Sequence, residues 1–383
     1  MVEAVWSRPP LDTPDARKDF IDLIALCELP EKSCRIQVDT GQTVITFADG
    51  DGRARRHAEE LLDRAYELAA AERPKQPTVL LDLLDATPPA RAGGRDQFIS
   101  LRPGLWAGRA ALAELLRRLD SLFLGLALEQ GAEEYAAPHL IPWTSLQRAG
   151  YVAAFPQHIS ACYSVRPSLD DVDTLGATTD LTVADTLLEP GGLCLSPAAC
   201  YHLYPMFADT IVEPGRLMTV MAHCSRRELK WTPQPIRFHS FRMRELVFVG
   251  SRAHTLAFRD RQLELCQDLA RRMDLPCRVV TATDPFFTSS RQPRIKLQNT
   301  LDLKHELLAR DADGNDFAVT SVNFHFDHIG RAFNMLSDGS PAQSSCLAFG
   351  LDRWAHWILS HCGPDPENWP EPLRDPAPSF VYS

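Results

Sequence analysis

The sequence predicts an α+β protein, and three stretches carry that prediction. Residues 217–250 alternate in character like two β-strands joined by a polar loop at 230–235. Residues 344–361 predict a buried strand that turns through Gly350 into a helix. Residues 109–130 repeat apolar side chains at helical spacing, which is typical of a helix packed against a core or an interface.

The beginning of the chain predicts a separate small module. Its expected elements are a helix at 20–26, a hairpin formed by 35–38 and 44–47, and an amphipathic helix at 55–71. Prolines and glycines interrupt the pattern between residues 74 and 94, so we place the domain boundary near residue 95. Residues 1–95 would then be a small N-terminal α+β module of unknown role, and residues 96–383 the larger domain.

Composition predicts a globular protein in a reducing compartment. Hydrophobic residues make up 45% and charged residues 23% of the 383, an ordinary globular balance. No apolar run reaches the ~18 residues that a membrane span needs, and residues 1–18 have no secretory apolar region. Because the ten cysteines are irregularly spaced, we expect them to be reduced and the protein to be cytoplasmic. A net charge of -10 argues against a general nucleic-acid binder.

The hairpin at 217–250 carries side chains that suit a nucleoside triphosphate. Residues two or four apart on a strand share a face, which would group Arg226 with Glu228, and Arg237 with Phe241 and Glu245. Arginine binds phosphate oxygens in bidentate fashion, a phenylalanine ring can stack on a base, and a carboxylate can accept a hydrogen bond from an adenine amino group. Taken alone, however, the same residues favour an amphipathic hairpin with a solvated, salt-bridged outer face.

Further polar residues lie on the other predicted elements. Arg353 falls in the first turn of a helix, where the macrodipole disfavours a cation unless an anion is bound beside it. Lys304 and Glu306 share one face of a predicted strand, where a surface ion pair is the simpler interpretation. Asn323 shares a strand face with His325 and could line a pocket. Cys200 could be a nucleophile, a metal ligand or a core thiol, and a core thiol is the default for one cysteine.

The order of these stretches resembles the three signature motifs of class II aminoacyl-tRNA synthetases. The helix at 109–130 with the segment 135–156 resembles the first motif, the Arg226-x-Glu228 hairpin the second, and Gly350-x-x-Arg353 the third. More narrowly, the chain resembles the amino acid:[carrier protein] ligases, relatives of the zinc-dependent atypical seryl-tRNA synthetases that lack a tRNA-binding domain. The resemblance covers about residues 97–363, and its further matches are 195–202, 241–245, 256–261, 284–287, 303–307 and 323–328.

The resemblance implies a fold, a reaction and a set of partners. It implies the class II synthetase catalytic fold, an antiparallel sheet flanked by helices, in a homodimer joined through the first motif. It also implies ATP-dependent activation of a small amino acid, glycine or alanine, as an aminoacyl-adenylate. The aminoacyl group would then pass to the phosphopantetheine thiol of a carrier protein, with tRNA and membranes not expected as partners.

The resemblance also implies roles for individual residues. Cys200, Glu245 and Cys346 stand at the family's Zn²⁺ ligand positions, which leaves a fourth position for the substrate amine. The residues expected to bind ATP are Arg226, Glu228, Arg237, Phe241 and Arg353, of which Arg226, Glu228 and Arg353 are also the expected catalytic residues.

The resemblance leaves some assignments and two rival functions open. Lys304 and Asn323 are candidates for contact with the amino acid. The Mg²⁺ ligands are not assigned, because Val319 and Thr320 stand where tRNA synthetases commonly have a glutamate. The alternatives are tRNA aminoacylation of the seryl-tRNA synthetase type and a catalytically silent paralogue with a binding or regulatory role.

Overall fold

The computed structural model separates the chain into two compact units. It describes residues 3–11, 13–24, 35–38, 42–48, 52–70, 77–88, 93–228, 232–282 and 303–374. The first unit takes in Met1–Lys75, and the described part of the second begins at residue 77. The division therefore lies earlier in the chain than the boundary that we predicted near residue 95. The matched motif at 284–287 lies outside the described residues, as does part of the predicted loop at 230–235.

The first unit is a small α+β structure with its own core. Its elements are β1 Glu3–Arg8, α1 Pro14–Ile24, β2 Arg35–Val38, β3 Thr43–Ala48 and α2 Gly52–Ala70. The antiparallel sheet has the order β1-β3-β2, and Trp6, Phe20, Ile45 and Leu62 are buried together in its core. The predicted hairpin and both helices are confirmed. Strand β1 was not predicted, because its first and last residues are charged and obscure the alternation of apolar and polar side chains.

The second unit is built on one eight-stranded sheet. The strands of this unit, which include those of smaller sheets, are β4 Val79–Asp82, β5 Phe98–Arg102, β6 Leu105–Gly108, β7 Glu133–Ala136, β8 Leu140–Pro142, β9 Ala161–Val165, β10 Leu188–Leu195, β11 Gly215–Ser225, β12 Ser240–Gly250, β13 Cys277–Thr281, β14 Lys304–Arg310, β15 Asp316–Phe324, β16 Leu336–Ser337, β17 Ser340–Pro341 and β18 Gln343–Gly350. The sheet order is β4-β13-β14-β15-β18-β12-β11-β7. All neighbouring pairs in this sheet are antiparallel except β7 with β11, so the predicted antiparallel sheet is confirmed.

Helices and short turns cover the sheet. The helices are α3 Ala110–Glu129, α4 Trp143–Arg148, α5 Tyr151–Ala154, α6 Leu169–Ala177, α7 Leu181–Thr186, α8 Arg252–Met273, α9 His328–Phe333 and α10 Leu351–Cys362. Helices α3, α8 and α10 pack on one face, which we call the back face, around Phe123, Phe258 and Trp354. The front face packs against α9 and the turns near residue 200. Period-two alternation on β12 and β18 separates the two faces, because Leu246 and Leu347 point back while Met243 and Cys346 point forward.

Helix α3 shows how its apolar stripe is used. The buried side chains are Leu112, Leu115, Leu116, Leu119, Phe123 and Ala127. The Phe123 ring stacks on Phe349 of β18, with ring centroids 3.9 Å apart. The stripe therefore packs into the core of its own chain, which was one of the two interpretations that its spacing allowed.

The hairpin strands end earlier than predicted at the loop side. Strand β11 ends at Ser225 and β12 begins at Ser240, so Arg226, Glu228 and Arg237 lie in the connection and not on strands. The prediction that strand alternation places Arg226 with Glu228, and Arg237 with Phe241, was therefore wrong. Alternation could not reveal the strand ends, because charged residues continue the pattern past the last paired residues, Ser225 and Ser240.

Candidate active site

The front face brings four strands together in one row of polar side chains. Lys304 on β14 lies directly opposite Asn323 on β15, and Asn323 lies opposite Cys346 on β18. Cys346 in turn faces Val247 on β12, two residues from Glu245. Side chains that are direct or diagonal cross-strand neighbours can touch, so the sheet register places the predicted amino acid contacts beside the predicted metal ligands.

Cys200 joins this row from a separate segment. It lies in a 3₁₀ turn at Ala199–His202 that packs on β11 and β12. The backbone N–H groups of Ala199 and Cys200 donate hydrogen bonds to Glu245 Oε1, at 2.8 and 3.2 Å. The buried carboxylate of Glu245 thus holds the turn in place.

The two thiols share a hydrogen bond, which separates their pKa values. The bond with Cys346 and burial raise the pKa of Cys200, whereas the same bond, together with His325 and Asn323, lowers the pKa of Cys346. Asn323 Nδ2 lies 3.5 Å from Cys346 Sγ, and His325 Nε2 lies 3.8 Å from it. This environment therefore favours the thiolate form of Cys346 over that of Cys200.

Glu245 is the third member of the cluster. It is 1% exposed, and burial raises its pKa to about 7, with the nearby Cys346 acting in the same direction. The predicted set of Cys200, Glu245 and Cys346 is therefore one buried group. Among the described residues, no three or more His, Cys, Asp or Glu side chains are arranged as a metal site.

Arginines gather beside this cluster. The Arg226 guanidinium lies over the Phe241 ring, 5.4 Å from its centroid, and its Nε donates to Pro197 O at 2.8 Å. Arg237 Nη1 forms an ion pair with Glu228 Oε2 at 2.8 Å. The connection therefore brings Arg226, Glu228, Arg237 and Phe241 to one end of the hairpin, although loop structure and not strand alternation does so.

Arg353 completes the arginine group. Its Nε donates to Ile236 O at 2.9 Å and its Nη1 to Ala318 O at 3.0 Å, so both of these hydrogen bonds go to main-chain carbonyls. Burial lowers the pKa of Arg353, and the charges of Arg226 and Arg237 act in the same direction, against Glu228. A guanidinium stays protonated in proteins, so this is a half-buried cation near two others. Such an arrangement favours a polyanionic ligand.

Lys304 already has a partner in this arrangement. Its Nζ lies 2.9 Å from Glu306 Oε1, and the two side chains are only 11% and 20% exposed. The predicted ion pair is thus present, but it lies within the row of polar side chains and not on an open surface. An anionic substrate group could share Lys304 with Glu306.

Sequence reasoning did not identify Tyr204 as part of the site. Its buried side chain lies against Cys200, four residues earlier in the chain. Burial raises the pKa of Tyr204, so its hydroxyl stays protonated beside the thiols. No sequence signal marked it, because Cys200 and Tyr204 lie in two short consecutive 3₁₀ turns without a recognisable repeat. Cys194 and Cys224 are buried core thiols.

Two curated relatives share about one third of their residues with this chain. Amino acid–[acyl-carrier-protein] ligase 2 of Bradyrhizobium diazoefficiens is 35% identical over 281 residues, covering 71% of this chain and 82% of the relative. Amino acid–[acyl-carrier-protein] ligase 1 of the same organism is 32% identical, covering 71% and 84%. Type-2 serine–tRNA ligase of Methanopyrus kandleri is 26% identical, covering 89% and 72%. No family model matches the chain.

Solved structures of seryl-tRNA synthetases share the fold. The M. kandleri enzyme, in complex with A. aeolicus tRNASec, superposes with a TM-score of 0.67 at 22% identity, covering 97% of this chain and 76% of that one. The Pyrococcus horikoshii enzyme, complexed with ATP, has a TM-score of 0.51 at 16% identity, covering 81% and 77%. These neighbours confirm the predicted class II synthetase fold.

Proposed function

The chain belongs to the amino acid–[acyl-carrier-protein] ligases, and from this premise we propose that it activates a small amino acid with ATP and loads it onto a carrier protein. The observation that carries the proposal is the grouping of Arg226, Arg237 and Arg353 near the loop end of the hairpin, where Arg226 is also close to Glu245 of the cluster with Cys200 and Cys346. Glycine and alanine are the proposed amino acids.

The first step joins the amino acid to the nucleotide. One carboxylate oxygen attacks the α-phosphorus of ATP, the bond to the β-phosphate bridge breaks, and pyrophosphate leaves. Phe241 stacks on the adenine and Glu228 accepts from its amino group, while Arg226 neutralises the α-phosphate and the carboxylate. Arg237 and Arg353 balance the remaining phosphate charge, together with the Mg²⁺ that accompanies ATP. Catalysis of this transfer depends on positioning and charge, and it needs no protein nucleophile.

The amino acid is held by the polar row on the front face. Lys304 pairs with the substrate carboxylate, and Asn323 donates a hydrogen bond beside it. Cys200, Glu245 and Cys346 fit Zn²⁺ by their donor chemistry, since two thiols and one carboxylate suit that ion. When bound, Zn²⁺ would supply a Lewis-acidic position for the substrate amine. Buried Tyr204 narrows the space beside this position, which supports a small side chain.

The second step releases AMP. The phosphopantetheine thiolate of a carrier protein attacks the carbonyl carbon of the adenylate, the carbon–oxygen bond to AMP breaks, and an aminoacyl thioester forms. AMP leaves with both electrons of that bond, and Arg226 stabilises its phosphate.

Among the described residues, no helix is both long and apolar enough to cross a membrane. Cys194, Cys224, Cys266 and Cys277 are buried and form no disulfide, which supports the proposed reducing cytoplasmic setting.

A homodimer is part of the proposal. Leu193 and Leu195 on β10 are two residues apart, and with Leu140 on β8 each is more than one third exposed. Residues two apart share a strand face, so these leucines form an apolar surface on the small β8-β10-β9 sheet. Light scattering should give twice the monomer mass for the wild type. We expect Leu195→Asp to give a monomer, and a monomeric wild type would contradict the dimer.

Pyrophosphate exchange with each of the twenty amino acids tests the activation step. Exchange with glycine or alanine is expected, and absence of exchange with every amino acid would favour the silent paralogue. Radiolabelled amino acid is then offered to a holo carrier protein, the same carrier without phosphopantetheine, and tRNA. Label should appear on the holo carrier alone, and label on tRNA would instead support the tRNA synthetase alternative.

Metal analysis of matched cysteine variants tests the zinc assignment. Cys346→Ala should lose bound zinc together with exchange activity. Cys224→Ala is the control, because Cys224 on β11 is also buried but lies outside the proposed ligand set. Equal zinc content in the two variants would overturn the assignment of Cys346 as a ligand.

A further inference from the structure

A cavity of about 150 Å³ lies on the back face, away from the polar row. Hairpin β5–β6 and helices α3 and α10 form its walls. Its lining includes Phe98, Trp106, Leu112, Ala113, Arg242 and Asp352. Arg242 points to this side because it alternates with Phe241 along β12. The cavity is therefore separate from the proposed catalytic site.

Two of the residues that line this cavity carry hydrogen-bond donors. Trp106 Nε1 is buried and has no hydrogen-bond partner in the described part of the chain. Indole nitrogen can only donate, so it needs an acceptor from elsewhere. Arg242 is held by Asp352, whose carboxylate accepts from both the Arg242 backbone N–H and Nη1, yet the Arg242 side chain is still 38% exposed. A guanidinium has five N–H donors, so Arg242 can also serve a ligand.

We infer that this cavity binds a small carboxylate with a short apolar body. The carboxylate would accept from Trp106 Nε1 and Arg242, while Phe98, Leu112 and the Trp106 ring would contact the apolar part. A space of about this volume holds roughly one six-membered ring.

The cavity borders residues that adjoin the proposed ATP site in sequence. Arg242 follows Phe241, and Asp352 precedes Arg353. The Phe98 ring packs against Phe238, which follows Arg237, with ring centroids 6.5 Å apart. A ligand in the cavity would therefore fix the backbone that presents Phe241 and Arg353, and so change the affinity for ATP. This second part of the inference depends on the proposed function, whereas binding itself does not.

Titration of the full-length protein with benzoate tests the binding. With ¹⁵N-labelled tryptophan, Trp106 gives one of seven indole signals, which Trp106→Phe identifies by its loss. The Trp106 signal should move with benzoate and not with benzylamine, which has the same ring but no acceptor and the opposite charge. An unmoved signal, as for a cavity that holds only water, would overturn the inference, as would an equal response to benzylamine.

Two variants locate the ligand. Ala113 is exposed at the edge of the cavity, so Ala113→Leu should fold normally and abolish the benzoate response. By calorimetry, Trp106→Phe should weaken benzoate binding about tenfold, because it removes one charge-assisted hydrogen bond. Unchanged benzoate affinity in both variants would contradict the assignment.

ATP affinity tests the coupling. Saturating benzoate should change the dissociation constant for ATP at least threefold in the wild type, and not in Ala113→Leu. An unchanged constant in the wild type would overturn the coupling. If ATP does not bind at all, the proposed function fails, and the benzoate titrations still decide whether the cavity is a site.

Discussion

Arg244 and Arg353 differ in the charges that surround them. On the back face, Arg244 is 3% exposed and forms ion pairs with Asp120 Oδ1 at 2.5 Å and Glu134 Oε1 at 3.1 Å, so its charge is matched by two carboxylates. Arg353, in the first turn of α10 and close to the loop end of the hairpin, instead donates to two main-chain carbonyls and lies near Arg226 and Arg237.

This difference predicts that Arg244 contributes to stability and Arg353 to activity. A matched buried cation joins elements, and Arg244 connects β12 to α3 and β7. A grouped set of cations opposes folding through mutual repulsion and becomes favourable when an anion binds. Removing Arg244 and removing Arg353 should therefore have opposite consequences for stability and activity.

The largest expected effect is the loss of activity in Arg353→Met. Pyrophosphate exchange should fall about 10²–10³-fold, the usual effect of removing one group that stabilises developing charge. The melting temperature should stay the same or rise, because a half-buried cation among cations has been removed. Arg271→Met serves as the control, since Arg271 forms an exposed pair with Asp268 and neither property should change. A clear loss of stability in Arg353→Met would contradict the comparison.

Arg244→Met should show the reverse. We expect unfolding in urea to become easier by about 2 kcal/mol, below the range for a fully buried pair, because Asp120 and Glu134 remain 27% and 45% exposed. Exchange activity per folded molecule should remain within about twofold, since no step proposed here uses the back face. If activity falls while stability is retained, the two arginines do not differ as described.

The catalytic fold and its cluster could be predicted because they depend on paired strands. The motif around Gly350 and Arg353 gave helix α10 to within one residue at its end, and alternation gave the shared front face of Phe241 and Glu245. The meeting of Cys200 with Glu245 could not be derived from spacing, since two backbone hydrogen bonds across 46 and 45 residues determine it.

The residues at the loop end of the hairpin show the limit of pattern reasoning. Arg226 was placed on a strand because charged residues continued the alternation, whereas its position depends on Pro197 O and on the Phe241 ring. Tyr204 was missed for a related reason, because consecutive 3₁₀ turns have no repeat long enough to recognise.

Phe241→Leu, on the front face, should have an intermediate effect on activity. The substitution keeps an apolar side chain at the hairpin end but removes the ring that would stack on adenine and that lies under Arg226. The KM for ATP should rise about tenfold, as stacking on a base contributes about 1–3 kcal/mol. Pyrophosphate exchange at varied ATP concentration measures it, with Phe248→Leu on the back face of the same strand as the control. An equal rise in KM for the control would contradict the assignment of Phe241 as the residue that stacks on adenine.

The smallest effect concerns acid stability on the back face. Asp311 is 2% exposed, and although burial opposes its charge, hydrogen bonds with His356 and Asn315 lower its pKa below the ordinary value near 3.8. A carboxylate with a lowered folded-state pKa stabilises the protein fully above its unfolded pKa, and the contribution disappears as the pH falls through the folded value. The difference in unfolding free energy between the wild type and Asp311→Asn should therefore be constant above about pH 5 and shrink below about pH 4. Urea unfolding from pH 3 to 7 measures this difference, and one that does not change with pH would show that the matched charges at this end of the sheet do not contribute through ionisation.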